Sequence, residues 1–138
     1  MIKLLFATHG MLASGMKHAI ELLSGEAKQL TVIDAYIDKR NFVDDLNDFI
    51  NSCDPSDQII LLSDIYGGSV NQEMYKVLDH KSNITLICGV NMPLVLELIL
   101  INEEHLSDDK IDELILQSQK GIKRLEFKNI EESTDDFF

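Results

Sequence analysis

Three short stretches of this 138-residue chain carry side chains with chemical reach. Thr8, His9 and Gly10 close an apolar run that begins at Ile2. Asp64, Gly67, Gly68 and Ser69 lie within "SDIYGGSV" (63–70). Gly89 to Pro93 form "GVNMP". Histidine titrates near neutral pH, and its two ring nitrogens can do different work. A carboxylate on one nitrogen fixes the tautomer and leaves the other free as a nucleophile, so Asp64 would make His9 a candidate for covalent catalysis. Two glycines ahead of a helix let the backbone come close to a ligand, and the free amides there favour an anion. Ser69 adds a hydroxyl donor or caps the helix. Each feature also has a plain structural reading: His9 as a strand-end residue bonded to a carbonyl, Asp64 as a turn cap, Gly67-Gly68-Ser69 as a tight turn. Only their convergence would make them a site.

Other chemistries lack their signatures. No GxxxxGK[ST] or GxGxxG is present, which removes the nucleotide P-loop and the dinucleotide fingerprint. A hydrolase with Ser14 or Ser69 as nucleophile would want a GxSxG elbow, and none occurs. Cys53 and Cys88 stand far apart without zinc spacing and read as reduced thiols. His18, His80 and His105 fall in or at the ends of helical patterns and read as surface residues. The formal charge of -12, from 24 acidic and 12 basic residues, leaves no basic stripe for nucleic acid. The N-terminus is too short in apolar residues for a signal peptide, and "MPLVLELILI" is too short for a bilayer.

The elements that must position these residues follow from periodicity. Apolar runs at 2–8, 29–35, 58–64 and 83–89 are rich in Ile, Leu and Val and read as strands covered on both faces, which favours a parallel sheet. Helical patterns separate them. One carries Met16, Ile20 and Leu23 on a face and stops at Gly25. Another runs from a capping Asn41 with Phe42, Leu46, Phe49 and Ile50 inward. Two more follow Gly68 and Asn91, and a last one is capped by Ser107 and ends at Gly121. Residues 122–128, "IKRLEFK", suit an antiparallel edge strand. The expected fold is an α/β, open, doubly wound, mostly parallel sheet of four strands in the order 2-1-3-4, with helices on both faces. In such sheets ligands gather at the carboxyl ends of the strands, where successive connections diverge. The predicted domain spans 1–130, and 131–138 form an acidic tail.

In register, "FATHG", "DIYGGSV" and "GVNMPLVLE" resemble the IIA component of the mannose-family sugar phosphotransferase system, over essentially residues 1 to 128. The resemblance implies that His9 carries a phosphoryl group received from the phosphocarrier HPr and passed to the EIIB component, which feeds the membrane EIIC/EIID complex. It implies Asp64 as the ring-orienting acid, with Thr8, Gly67, Gly68 and Ser69 around the phosphoryl oxygens. No metal and no cofactor are expected. It further implies a cytoplasmic protein that meets the membrane peripherally through EIIB, and a homodimer whose C-terminal strand can cross to the partner. Ile65 and Val70 depart from the family's D-T-x-G-G-S-P motif. Loss of the threonine hydroxyl would leave Asp64 or the phosphoryl group one partner short, with Thr8 as a substitute; loss of the proline costs only rigidity. The sequence leaves two alternatives open: the phosphotransfer subunit of a dihydroxyacetone kinase system, and a non-enzymatic anion-binding module.

Overall fold

The computed structural model describes residues 1–127. Four strands, β1 (Ile2–His9), β2 (Leu30–Ala35), β3 (Gln58–Ser63) and β4 (Ile84–Ile87), pair in parallel in the order β2-β1-β3-β4. This is the sheet the apolar runs predict. Among the described residues the helices are α1 (Leu12–Ser24), α2 (Phe42–Ser52), α3 (Ser69–Lys76), α4 (Met92–Leu100) and α5 (Asp108–Gln119), with a short 3-10 turn over Val77–His80 after α3.

Alternation along β1 sends its side chains to two separate cores. Leu4 and Phe6 join the core under α1, α4 and α5 through Ile20, Leu94, Leu98 and Ile111. Leu5 and Ala7 join the opposite one, with Phe42, Leu46 and Ile50 of α2 and Val70 and Met74 of α3. All six residues of β3 are buried, so its continuous apolar character follows from being covered twice. The connections after β1 and β3 therefore leave toward opposite faces, and the crevice between their tips is the switch point.

Local signals set most boundaries. The Asn41 side chain accepts from the amides of Val43 and Asp44, Asn91 accepts from Leu94, and Ser107 accepts from Lys110. α1 ends at Gly25.

Two expectations need correcting. Leu23 is exposed, whereas Ala13 and Ile20 are buried and Met16 packs beside them. At roughly 100° per residue, the position four beyond Ile20 stays nearer the core stripe than the one three beyond. Ser24 takes it, and Ala27 continues the core. Residues 122–127 form no strand, and Phe127 is 97% exposed. Lys123, Arg124 and Glu126 keep this stretch hydrated, and its apolar residues find no facing strand among the described residues of the chain. Lys128 and the tail at 131–138 lie outside the described residues.

Candidate active site

The parallel registers bring the site together. β1 is flanked by β2 and β3, with His9 opposite Ala35 and Ala7 opposite Ser63. The residues just past each neighbour, Tyr36 and Asp64, therefore bracket His9. The Gly10 amide donates to the Ala35 carbonyl at 2.9 Å and fixes the tip.

Asp64 holds His9 at two points. Its Oδ2 accepts from the ring Nδ1–H at 2.9 Å and from the His9 amide at 3.0 Å. The His9 side chain is 42% exposed while that of Asp64 is 12% exposed, so the acid sits behind the ring and the ring faces outward. Burial pushes the Asp64 pKa up, but the ring and backbone hydrogen bonds of His9 and its charge outweigh that, and the carboxyl ends below its ordinary value. Its second oxygen, Oδ1, is buried without a hydrogen-bond partner among the described residues. Ile65 stands directly after it, where the motif named above carries a hydroxyl.

The far nitrogen meets α3. Ser69 Oγ lies 3.1 Å from His9 Nε2. With the proton on Nδ1 held by Asp64, Nε2 is the acceptor and the serine hydroxyl donates. Ser69 is the first residue of α3 rather than its cap. Gly68 holds the cap position and offers no side chain, so the opening amides of the helix have no side-chain cap. Gly68 also makes room for the ring: a Cβ there would stand 2.8 Å from Ile65 Cγ2 and 3.0 Å from His9 Cε1. Gly67 supplies the turn, with φ of +77°. Its amide donates to Asn71 Oδ1 at 3.0 Å, and Asn71 Nδ2 donates to Ser63 Oγ at 3.2 Å. The buried Asn71 thus ties the glycine turn to β3.

Not every expected residue reaches this cluster. Strand alternation points Thr8 to the face opposite His9, toward α1, where it is fully buried and its Oγ1 accepts from the Ala13 amide at 2.8 Å. Its hydroxyl is therefore committed to the start of α1 and does not replace the hydroxyl missing at Ile65. The Gly67 amide is likewise taken by Asn71, and the Gly68 amide donates to the Ile65 carbonyl at 3.5 Å, so what meets the ring is the space at Gly68 and the hydroxyl of Ser69. Ser14, the other serine weighed as a nucleophile, donates from Oγ to Asp34 Oδ2 at 2.6 Å and joins α1 to β2.

One residue of the cluster has no sequence signal. Tyr36 donates its hydroxyl to Ser69 Oγ at 2.9 Å, and its ring centroid lies 5.6 Å from that of His9. "DAYID" reads as the end of a strand. The residue's place beside His9 follows from the β1–β2 register, which local patterning does not reveal.

Among the described residues no three His, Cys, Asp or Glu side chains gather as a metal site, and no helix is long and apolar enough to cross a membrane.

The comparisons with known proteins agree with this architecture. The mannose-specific EIIAB component of the phosphotransferase system in Escherichia coli K12 is 25% identical over 136 residues, covering 96% of this chain and 42% of that protein. The chain thus spans less than half the length of the curated relatives it matches. Component EIIA from Streptococcus agalactiae superposes with a TM-score of 0.77 at 24% identity, covering 90% of this chain and 97% of that one. The mannose/sorbose-specific IIA subunit from Enterococcus faecalis gives 0.80 at 15% identity, covering 93% and 97%. These two likenesses establish the fold. The family model described as the PTS system fructose IIA component matches residues 3–115, so a chain with this sheet and this histidine at its switch point belongs to the EIIA family of the mannose–fructose phosphotransferase systems.

Proposed function

We propose that this chain is a phosphoryl carrier that accepts a phosphoryl group from phospho-HPr on His9 Nε2 and passes it to an EIIB component, which serves the EIIC/EIID permease. The observation that carries this reading is the unequal hold on the two ring nitrogens. Nδ1 is held from behind by Asp64, and Nε2 meets the rotatable hydroxyl of Ser69 at the start of α3.

The chemistry balances on these atoms. The Nε2 lone pair attacks phosphorus as the bond to the donor's imidazole breaks, and that imidazole leaves with the electron pair. The His9 ring becomes cationic while keeping its Nδ1 proton, and the Asp64 carboxylate stabilises the charge. Ser69 must swing its hydroxyl from Nε2 to a phosphoryl oxygen as the new bond forms. The Ser69 amide and the positive end of α3 offset the equatorial oxygen charge without a metal. Transfer to EIIB runs the same steps with His9 as the leaving group.

A carrier must seat two protein partners over the same nitrogen. Met11, Ile37, Ile65 and Tyr66 are exposed on the connections that leave the carboxyl edge of the sheet, and Leu12 is exposed at the start of α1. Apolar side chains gathered at a polar centre mark a protein-docking surface. The cytoplasmic location and the homodimer are proposed with this role.

Incubation with phosphoenolpyruvate, enzyme I and HPr tests the reading. It predicts an acid-labile, base-stable label on His9 that chases onto EIIB. His9→Ala should abolish it, and a label persisting in that variant would overturn the assignment.

A further inference from the structure

We propose that Tyr36 is a positioning residue of the phosphoryl site: its hydroxyl sets the direction of the Ser69 hydroxyl and so keeps a proton donor aimed at His9 Nε2, and at the phosphoryl oxygens after transfer. The proposal rests on the carrier reading for its consequence, though not for its geometry.

Donor and acceptor counting gives one consistent chain. Asp64 can only accept, so Nδ1 carries the ring proton at 2.9 Å from Oδ2. Nε2 of the neutral ring can then only accept, so the Ser69 proton points to it across 3.1 Å. Ser69 Oγ retains its lone pairs, and the Tyr36 hydroxyl donates to them at 2.9 Å. Tyr36 therefore fills the acceptor side of Ser69 and leaves its single proton directed at the ring. No proton changes owner along this chain during transfer. The serine proton moves from Nε2 to a phosphoryl oxygen by rotation, and Tyr36 follows Oγ.

The backbone indicates that this placement is maintained at a cost. Tyr36 is the only non-glycine residue with positive φ among the described residues, at 67°. A bulky side chain is uncommon in that region, and such strain persists where surrounding contacts over-determine it. Here the β1–β2 register puts Ala35 beside His9, and the left-handed turn at the next residue brings the phenol over the imidazole, the two rings tilted by 44°. Asn or Gly would fit the turn with less strain. Neither can span from the tip of β2 to Ser69.

Tyr36→Phe keeps the ring and removes the donor. In ¹⁵N-labelled protein, His9 Nε2 should move toward the resonance of a neutral imidazole nitrogen without a protein donor, with the Nδ1–H tautomer retained. Phosphorylation by phospho-HPr should slow about fivefold to tenfold, the effect of one hydrogen bond, while the thermal midpoint stays near that of the parent. Ser69→Ala should move the same resonance, and the double variant should move it no further. An unmoved resonance in Tyr36→Phe, an unchanged transfer rate, or additive shifts in the double variant would overturn the proposal. Absence of any label on wild-type His9 would instead overturn the carrier reading, and the resonance comparison would still decide whether Tyr36 directs the serine.

Discussion

One oxygen of Asp64 holds both the ring and the backbone of His9, while the other has no hydrogen-bond partner among the described residues. Oδ2 fixes where the strand tip sits and which tautomer the ring adopts. The acid thus acts on geometry and on charge together. Asp64→Asn should separate the two: an amide oxygen can still accept from Nδ1–H but cannot stabilise the imidazolium. Transfer from phospho-HPr should fall by roughly 10²-fold, the scale of losing an oriented acid–base partner, with the fold retained. Rapid-quench measurement of the first turnover checks this, and an unchanged rate would deny Asp64 its role.

The same pair predicts a pH dependence. The Asp64 carboxyl is lowered in the folded chain, with burial opposing and the His9 hydrogen bonds and charge prevailing. A lowered carboxyl contributes stability that is present above its unfolded value near 4 and is lost as pH falls through the lower folded value. Denaturant melts of the parent and Asp64→Asn should therefore differ most above about pH 4 and converge below it. A gap that widens on acidification would contradict the sign.

The unpartnered Oδ1 makes a prediction at its sequence neighbour. Ile65 is more than half exposed, so its truncation removes little core. Ile65→Thr offers a hydroxyl beside an acceptor that now has none, and satisfying one buried polar atom contributes about 1 kcal/mol. Chemical denaturation should register a gain of about 0.5–1 kcal/mol, with transfer at least as fast as in the parent. A loss of stability would show that Oδ1 is out of reach from residue 65.

Much of the candidate site is legible in the sequence, for physical reasons that particular residues expose. Apolar runs separated by amphipathic stretches dictate a doubly wound sheet, and that topology alone brings His9 and Asp64 to one crevice. Thr8 is the exception. The resemblance implies that its hydroxyl stands in for the one missing at Ile65, but strand alternation sends neighbouring side chains to opposite faces. Tyr36 depended on a strand register and a left-handed turn, neither of which leaves a pattern in "DAYID". The commitment of the Gly67 amide to Asn71 is equally hidden, because it depends on the rotamer of a buried side chain in the first turn of α3.

Thr8 offers a direct check on that lesson. Its buried hydroxyl accepts the Ala13 amide at the first turn of α1. Thr8→Val keeps the shape and removes the acceptor, leaving a buried donor unpaired at a cost of about 1–2 kcal/mol. Thermal or urea unfolding should show this loss, while the transfer rate per folded molecule stays within about twofold. Retained stability with slowed transfer would return Thr8 to the phosphoryl site.

Gly68 gives the sharpest steric test, because its backbone is ordinary. Its φ of −69° suits any residue, so Gly68→Ala brings no backbone strain, and the added methyl is the whole perturbation. That methyl would stand 2.8 Å from Ile65 Cγ2 and 3.0 Å from His9 Cε1. Ile65 is exposed and can rotate away, whereas the His9 ring is pinned by Asp64 on its other side. The ring must therefore tilt on its tether or lengthen the Ser69 contact, and either change misaligns Nε2 for in-line attack, where displacements of about 1 Å cost on the order of 10²-fold. Transfer should drop by at least tenfold with the unfolding midpoint nearly unchanged. Combining it with Ile65→Ala, which clears only the aliphatic clash, should leave that defect in place. Recovery of the rate in the double variant would mean that the isoleucine, and not the imidazole, is what Gly68 makes room for.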